Sequence, residues 1–216
     1  MKYVTAVLVG AVLVGLAVGT TEAGQNHNAA LLSHVIAIAQ KTNCTSFLTG
    51  LTGCDDLNPN FAGAVGENAA VGVFIGIDPG TGTGLNVVGL DFGVTYTAGT
   101  GGAFITSWQS CGDLDSPQEG WPASGTGNSV VWNECRTGNL VLAGWFSVYV
   151  YTDGRLTIGP HPLVGQCQSL DCDGANFDLL VNPVTVSLNG GGGVNPTCGV
   201  PVKPTTWGSI KTIYGN

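Results

Sequence analysis

Beyond an apolar opening stretch, apolar and polar residues alternate along most of this chain, and a period of two is the signature of half-buried strands. Residues 31–39 read as a first strand. In 71–77, Val71, Val73, Ile75 and Ile77 fall on one face. The turn Asp78-Pro79-Gly80 leads into 86–97, where Val88, Leu90, Phe92, Val94 and Tyr96 share one face and Gly89, Asp91 and Gly93 the other. Residues 103–108 and 129–132 are shorter candidates. The strongest is 140–151, with Leu142, Phe146, Val148 and Val150 on one side and Val141, Trp145, Tyr149 and Tyr151 opposite. Asp153-Gly154 turns the chain into 155–158, and two more strands fit 175–181 and 184–188 around Asn182-Pro183. About eight to nine short strands without crossover helices predict an all-β sandwich and argue against a parallel α/β fold.

The two ends depart from this pattern. Lys2 is followed by an uncharged run of Val, Ala, Leu and Gly, then by Thr21-Glu22-Ala23, with small residues where a leader peptidase reads. This is a signal-peptide pattern, and it predicts cleavage after Ala23. The expected organisation is therefore a leader over 1–23, a sandwich over 24–189, and a Gly-rich linker with a terminal segment over 190–216. Within that segment Trp207, Ile210, Lys211 and Tyr214 recur at helical spacing behind Thr206, which predicts a short capped C-terminal helix.

Composition sharpens the class. Only 9% of residues are charged, 35 are Gly, and the net charge is −8. Scattered Asp without a basic patch excludes nucleic acid and anionic membranes as natural partners. The mature chain holds no second apolar run of spanning length.

All seven cysteines lie behind the leader, where disulfides persist. Cys44 with Cys54, Cys111 with Cys135, and Cys172 with Cys198 are the expected pairs, and Cys167 with Cys172 rivals the third. Spacing does not decide connectivity, because six cysteines allow 15 arrangements. No CxxC pair occurs, and His27, His34 and His161 stand at no ligand spacing from a Cys, so zinc is not expected. Asp171, Asp173 and Asp178 place oxygens along one loop as calcium sites do, without the sixth-position Gly and final Glu of an EF-hand. Calcium is the one candidate ligand there, and no other cofactor is expected.

Catalytic patterns are missing. Glu67, Glu119 and Glu134 are the only Glu residues beyond the leader, and neither a GxSxG elbow nor an HExxH helix occurs. Trp108, Trp121, Trp132 and Trp145 gather around the Cys111–Cys135 stretch. Trp121, in Gly120-Trp121-Pro122, is the one that a loop would expose to stack on a sugar.

Several stretches together carry a resemblance. They are His34-Val35 leading to Lys41-Thr42-Asn43-Cys44 and Cys54, and Trp108-Gln109-Ser110-Cys111 with Asp113, Trp121-Pro122, Trp132 and Cys135. Gly144-Trp145-Phe146, Asp171-Cys172 and Thr206-Trp207-Gly208-Ser209-Ile210-Lys211 complete the series. The chain resembles a group of exported, disulfide-containing β-rich proteins of environmental bacteria. That resemblance implies secretion and disulfides, and it implies no catalytic residue. More loosely, the strand texture is similar to immunoglobulin-like and cohesin-like sandwiches, which are mostly binding or structural modules. The expected function is a secreted or cell-surface, non-catalytic role in binding or structure, with an extracellular partner. The alternatives are a carbohydrate-binding module using Trp121 and a secreted hydrolase.

Overall fold

A computed structural model of the chain describes residues 24–38, 43–64, 66–81, 83–97 and 103–198. The leader over 1–23 and the C-terminal helix expected around 205–214 lie outside these residues. The chain forms two facing sheets, as the alternation predicts. Strands β1 (Ala30–Ala37), β2 (Asn60–Phe61), β3 (Asn68–Gly76) and β4 (Leu85–Tyr96) are followed by β5 (Ala103–Ser110), β6 (Leu114–Pro117) and β7 (Thr126–Gly138). Strands β8 (Leu140–Val150), β9 (Gly154–Gly159), β10 (Gln168–Asp171), β11 (Phe177–Leu179) and β12 (Val184–Leu188) complete the set. The smaller sheet runs β1-β3-β8-β5. The larger runs β11-β10-β4-β9-β12-β2, and β7 joins the other edge of β4 and carries β6.

Between the sheets lies an apolar core that includes Val71, Val73, Ile75, Phe92, Val94, Val130, Phe146 and Val148. Burying each such side chain stabilises the fold by roughly 1.5–3 kcal/mol. Two bulges change the facing that simple alternation gives. In β4 the register with β7 shifts between Val87 and Gly89, so Leu85 and Val87 turn into the core while Val88 stays half-exposed. In β8 a second shift lies at Val73 and Phe74, opposite Gly144. Val141 and Ala143 consequently face the core, and Leu142 leaves it to join Trp145 on the outer side. An extra residue in one strand inverts the facing of everything beyond it, which a strict period of two does not anticipate.

Part of the outer face of the smaller sheet is covered, while Phe104 and Tyr151 remain exposed beyond the cover. Asn43 caps the single turn α1 (Cys44–Phe47), its Oδ1 accepting from Ser46 N at 2.9 Å. That turn lays Phe47 against Phe74 and Trp145, with ring centroids 5.9 and 6.0 Å apart. Gly72 makes the contact attainable, because a Cβ there would stand 2.6 Å from the Phe47 ring.

The disulfides correct all three expected pairings. Cys44 bonds Cys111, Cys54 bonds Cys198, and Cys135 bonds Cys172, with Cα atoms 5.8, 6.1 and 5.2 Å apart. Cys44–Cys54, Cys111–Cys135 and Cys172–Cys198 do not form, and neither does Cys167–Cys172. Local loop closure misleads here because the segment from Cys44 to Cys54 stretches across the smaller sheet. Each of its ends is pinned to a different distant part of the chain. Cys167 is a buried free thiol.

Residues 190–198 return to the sandwich, where the expected linker would leave it. Val194 bridges Thr185, and Asn195 exchanges hydrogen bonds with Ser33 through Ser33 N to Oδ1 at 2.8 Å and Nδ2 to Ser33 O at 2.9 Å. Among the described residues no helix is long and apolar enough to cross a membrane.

Candidate functional site

The two sheets differ in what lies on their outer faces. Around Phe74 and Trp145 the smaller is covered by Phe47 and its disulfide-anchored loop, and Phe104, Tyr149 and Tyr151 form a ring cluster beyond it. The larger carries an apolar row from five strands in register, half-buried in the middle and exposed at its two ends. Leu114 pairs with Val131, Val131 with Gly89, Gly89 with Leu170, and Leu170 with Phe177. Cross-strand partners share a face, so this row is one apolar band. Leu114 is 62% exposed and Phe177 59%. Gly89 adds no side chain, and a shallow hollow of about 170 Å³ opens there, lined in part by Val131, Leu170 and Phe177.

A second row runs beside it. Ser116, Ser129, Asp91, Gln168 and Leu179 are successive partners. Asp91 stands at its centre, accepting from Ser129 Oγ at 2.5 Å and from Gln168 Nε2 at 2.8 Å. The face thus presents an apolar stripe next to a charged, hydrogen-bonded one. Large apolar groups gathered on an exposed sheet mark an interaction surface more than a surface left to water.

The strands of this face are fixed at one end by a disulfide and from beneath by two buried acids. The Cys135–Cys172 disulfide joins β7 to the residue after β10. Cys172 N donates to Asn86 Oδ1 on β4 at 3.0 Å. Asp171 and Asp178 turn inward from β10 and β11, where they are 3% and 5% exposed. Asn26 clasps both, with N to Asp178 Oδ2 at 2.8 Å and Nδ2 to Asp171 Oδ1 at 2.5 Å. Asn26 also exchanges hydrogen bonds with the Asn86 backbone. Burial pushes the Asp171 carboxyl above the usual carboxylate range, and the neighbouring Asp178 pushes it the same way.

The structure brings Asp171 and Asp178 together and leaves Asp173 apart. Asp173 is exposed in the turn and accepts from Ala175 N at 2.9 Å. Among the described residues no three His, Cys, Asp or Glu side chains converge to hold a metal ion. Asn26 donates to both members of the buried pair. The same acid pair is closed to solvent, whereas glycoside hydrolysis needs two carboxyls across an open cleft.

Trp121 does not offer a platform. Its ring packs inward against Phe92, Trp108 and Phe146, with centroids 5.5, 5.7 and 5.4 Å away. The loop folds back because Gln118 O accepts from Trp121 N at 3.1 Å and Gly120 turns with φ at 84°. Trp108 ties the same corner to β6 through Nε1 to Asp115 Oδ2 at 2.9 Å. Trp132 is buried and donates to Cys111 O at 3.0 Å.

None of the band residues was visible as a group in the sequence. They come from β6, β7, β4, β10 and β11, which are scattered from 89 to 177. The one local signal is Leu114, a lone large apolar residue among Gly112, Asp113, Asp115, Ser116 and Pro117.

A scan against protein-family models and a search of curated proteins give no match. Among solved structures, the chain is similar to a cohesin module from a Clostridium perfringens family 33 glycoside hydrolase, at 12% identity and a TM-score of 0.43. That likeness covers 74% of this chain and 98% of the module. A chain of a crystallised complex between CaCohA2 and a variant of CaDoc0917 is similar at 10% identity and a TM-score of 0.42, covering 60% of this chain and 94% of its own. Both are distant likenesses of β-rich chains.

Proposed function

We propose that this chain is exported, closes its three disulfides outside the cytosol, and acts there as a non-catalytic module that binds a protein partner. The binding surface is the outer face of the larger sheet. The observation that carries this reading is the apolar row Leu114–Val131–Gly89–Leu170–Phe177, continuous across five strands and exposed at both ends. Protein interfaces have a dehydrated apolar centre beside polar groups, and the Asp91–Ser129–Gln168 stripe supplies the polar side. Three disulfides support an extracellular setting. Among the described residues Phe177 is the one exposed ring on this face, and Trp121 is turned inward.

The test places a photo-crosslinking side chain at Leu114 or at Phe177, and in a control at Thr52, away from this face. Each protein is irradiated in the extracellular fraction of its host. The expected result is one shared protein adduct from positions 114 and 177 and none from 52. Adducts from 52 alone, or binding to a glycan array that Trp121→Ala abolishes, would replace this reading.

A further inference from the structure

Beneath the binding face, the buried Asp171–Asp178 pair has a feature that the hydrogen bonds to Asn26 do not explain. Two carboxyls lie side by side in a site closed to water, and they accept from neutral donors: Asn26 N, Asn26 Nδ2 and Gln25 N. Among the described residues the only Lys or Arg side chains are Arg136 and Arg155. Arg136 lies 3.9 Å from Asp113, and Arg155 lines a surface hollow with Asp153. Neither serves the pair. Burying two like charges without a cation is costly.

Gly24 also lies against both. A Cβ on Gly24 would stand 2.7 Å from Asp171 Oδ2 and 2.8 Å from Asp178 Cγ, and it would collide with Asp178 Oδ2. Its Cα therefore stands one bond from a point between the two carboxyls, and its nitrogen one bond further. The seat is fixed, because Gly24 O accepts from His27 N at 3.3 Å and lies 2.6 Å from His27 Nδ1. Independently of this geometry, the Thr21-Glu22-Ala23 pattern predicts Gly24 as the first residue of the mature chain. The geometry and the sequence pattern thus meet on one residue.

We propose that the Gly24 α-ammonium, freed when the leader is removed, pairs with Asp171 and Asp178 and locks the mature fold. Hydrolysis of the Ala23–Gly24 amide by a leader-cleaving protease consumes one water. It leaves the carboxylate on Ala23 and the amine, protonated, on Gly24. Before that step the nitrogen is a neutral amide. Afterwards it is the cation that the pair lacks, in a seat that only glycine fits. The lock ties the start of the chain to the β10–β11 hairpin, which carries Leu170 and Phe177. Asp173 and His27 are the other titratable groups beside the site, and neither fills it.

The test compares the chain starting at a free Gly24 with the same chain acetylated on that nitrogen, each with and without Asp171→Asn and Asp178→Asn together. N-terminal sequencing of protein secreted by its host accompanies it. The expected start is Gly24. The α-amine of the free form should titrate above its ordinary value of about 8. Acetylation should lower Tm by on the order of 5 °C, and it should change nothing in the double variant. Should that variant not fold, the amine titration and the effect of acetylation on the wild-type chain decide the matter. A mature start elsewhere, or an α-amine titrating at its ordinary value, overturns the proposal and leaves the binding reading standing. A Tm that calcium raises equally in free and acetylated forms overturns it too, because the pair would then be a metal site.

Discussion

Cys135 and Cys172 hold β7 and the β10–β11 hairpin together, their Cα atoms 5.2 Å apart, with Asn86 of β4 hydrogen-bonded to the second of them. The three strands that this bond gathers are the middle of the proposed binding face. Replacing both cysteines by Ala should cost about 2–4 kcal/mol in chemical denaturation. Hydrogen exchange should rise in β10 and β11 and stay unchanged in β3 and β8. Uniform loosening would mean that the bond braces the whole fold and not this face.

The thiol count follows from the same connectivity. Cys167 is 1% exposed, and burial pushes its thiol well above the ordinary cysteine range, with Asp91 adding to the effect. An alkylating reagent should find no reactive thiol in the native protein and one after unfolding without reductant. Non-reducing peptide mapping should return Cys44–Cys111, Cys54–Cys198 and Cys135–Cys172. A native protein that alkylates at Cys167 contradicts its burial.

Trp121→Ala separates a packing role from a sugar-stacking role. The ring touches Phe92, Trp108 and Phe146, so its removal should destabilise the protein by about 3 kcal/mol, at the low end for a core aromatic because the side chain is half-buried. Partner binding should persist under conditions where the variant is folded. Unchanged stability would place the ring in solvent.

His34 gives the protein an acid-sensitive step. It lies half-buried beside Phe47, and its Nδ1 accepts from Asn58 N at 2.9 Å, which requires the unprotonated nitrogen. Burial lowers its affinity for a proton, against the opposing pull of Asp56. The unfolded chain therefore binds a proton more readily. The contribution is fully present above the ordinary histidine value of about 6.5 and is lost as pH falls below it. Stability measured from pH 7.5 to 5 should decline, and His34→Gln should flatten that decline. A slope unchanged by the substitution would assign it to other groups.

Much of the fold was legible in the alternation, because Val71, Val73 and Ile75 need only a period of two to find the core. The bulges at Val87–Gly89 and opposite Gly144 were not, since nothing local distinguishes a bulged Gly from a paired one. Strand β10 was invisible for a related reason: Gln168-Ser169-Leu170-Asp171 is polar, and its inward residues, Ser169 and Asp171, take the place of the apolar side chains that mark other strands. The disulfides and the apolar row depend on register between strands far apart in the chain. Leu114 and Phe177 belong to one surface only once β6, β7, β4, β10 and β11 are laid side by side.

The most direct measurement of the binding face uses the partner recovered by wild-type protein. Its affinity is compared for wild type, for Leu114→Glu combined with Phe177→Glu, and for Thr52→Glu, with Tm recorded for each. Both apolar residues are exposed, so the double variant should keep its Tm within a few degrees. It should lose at least about tenfold in affinity if each side chain contributes on the order of 1 kcal/mol or more at the interface centre, while Thr52→Glu binds as wild type. Equal affinity for all three proteins would contradict a binding role for the outer face of the larger sheet.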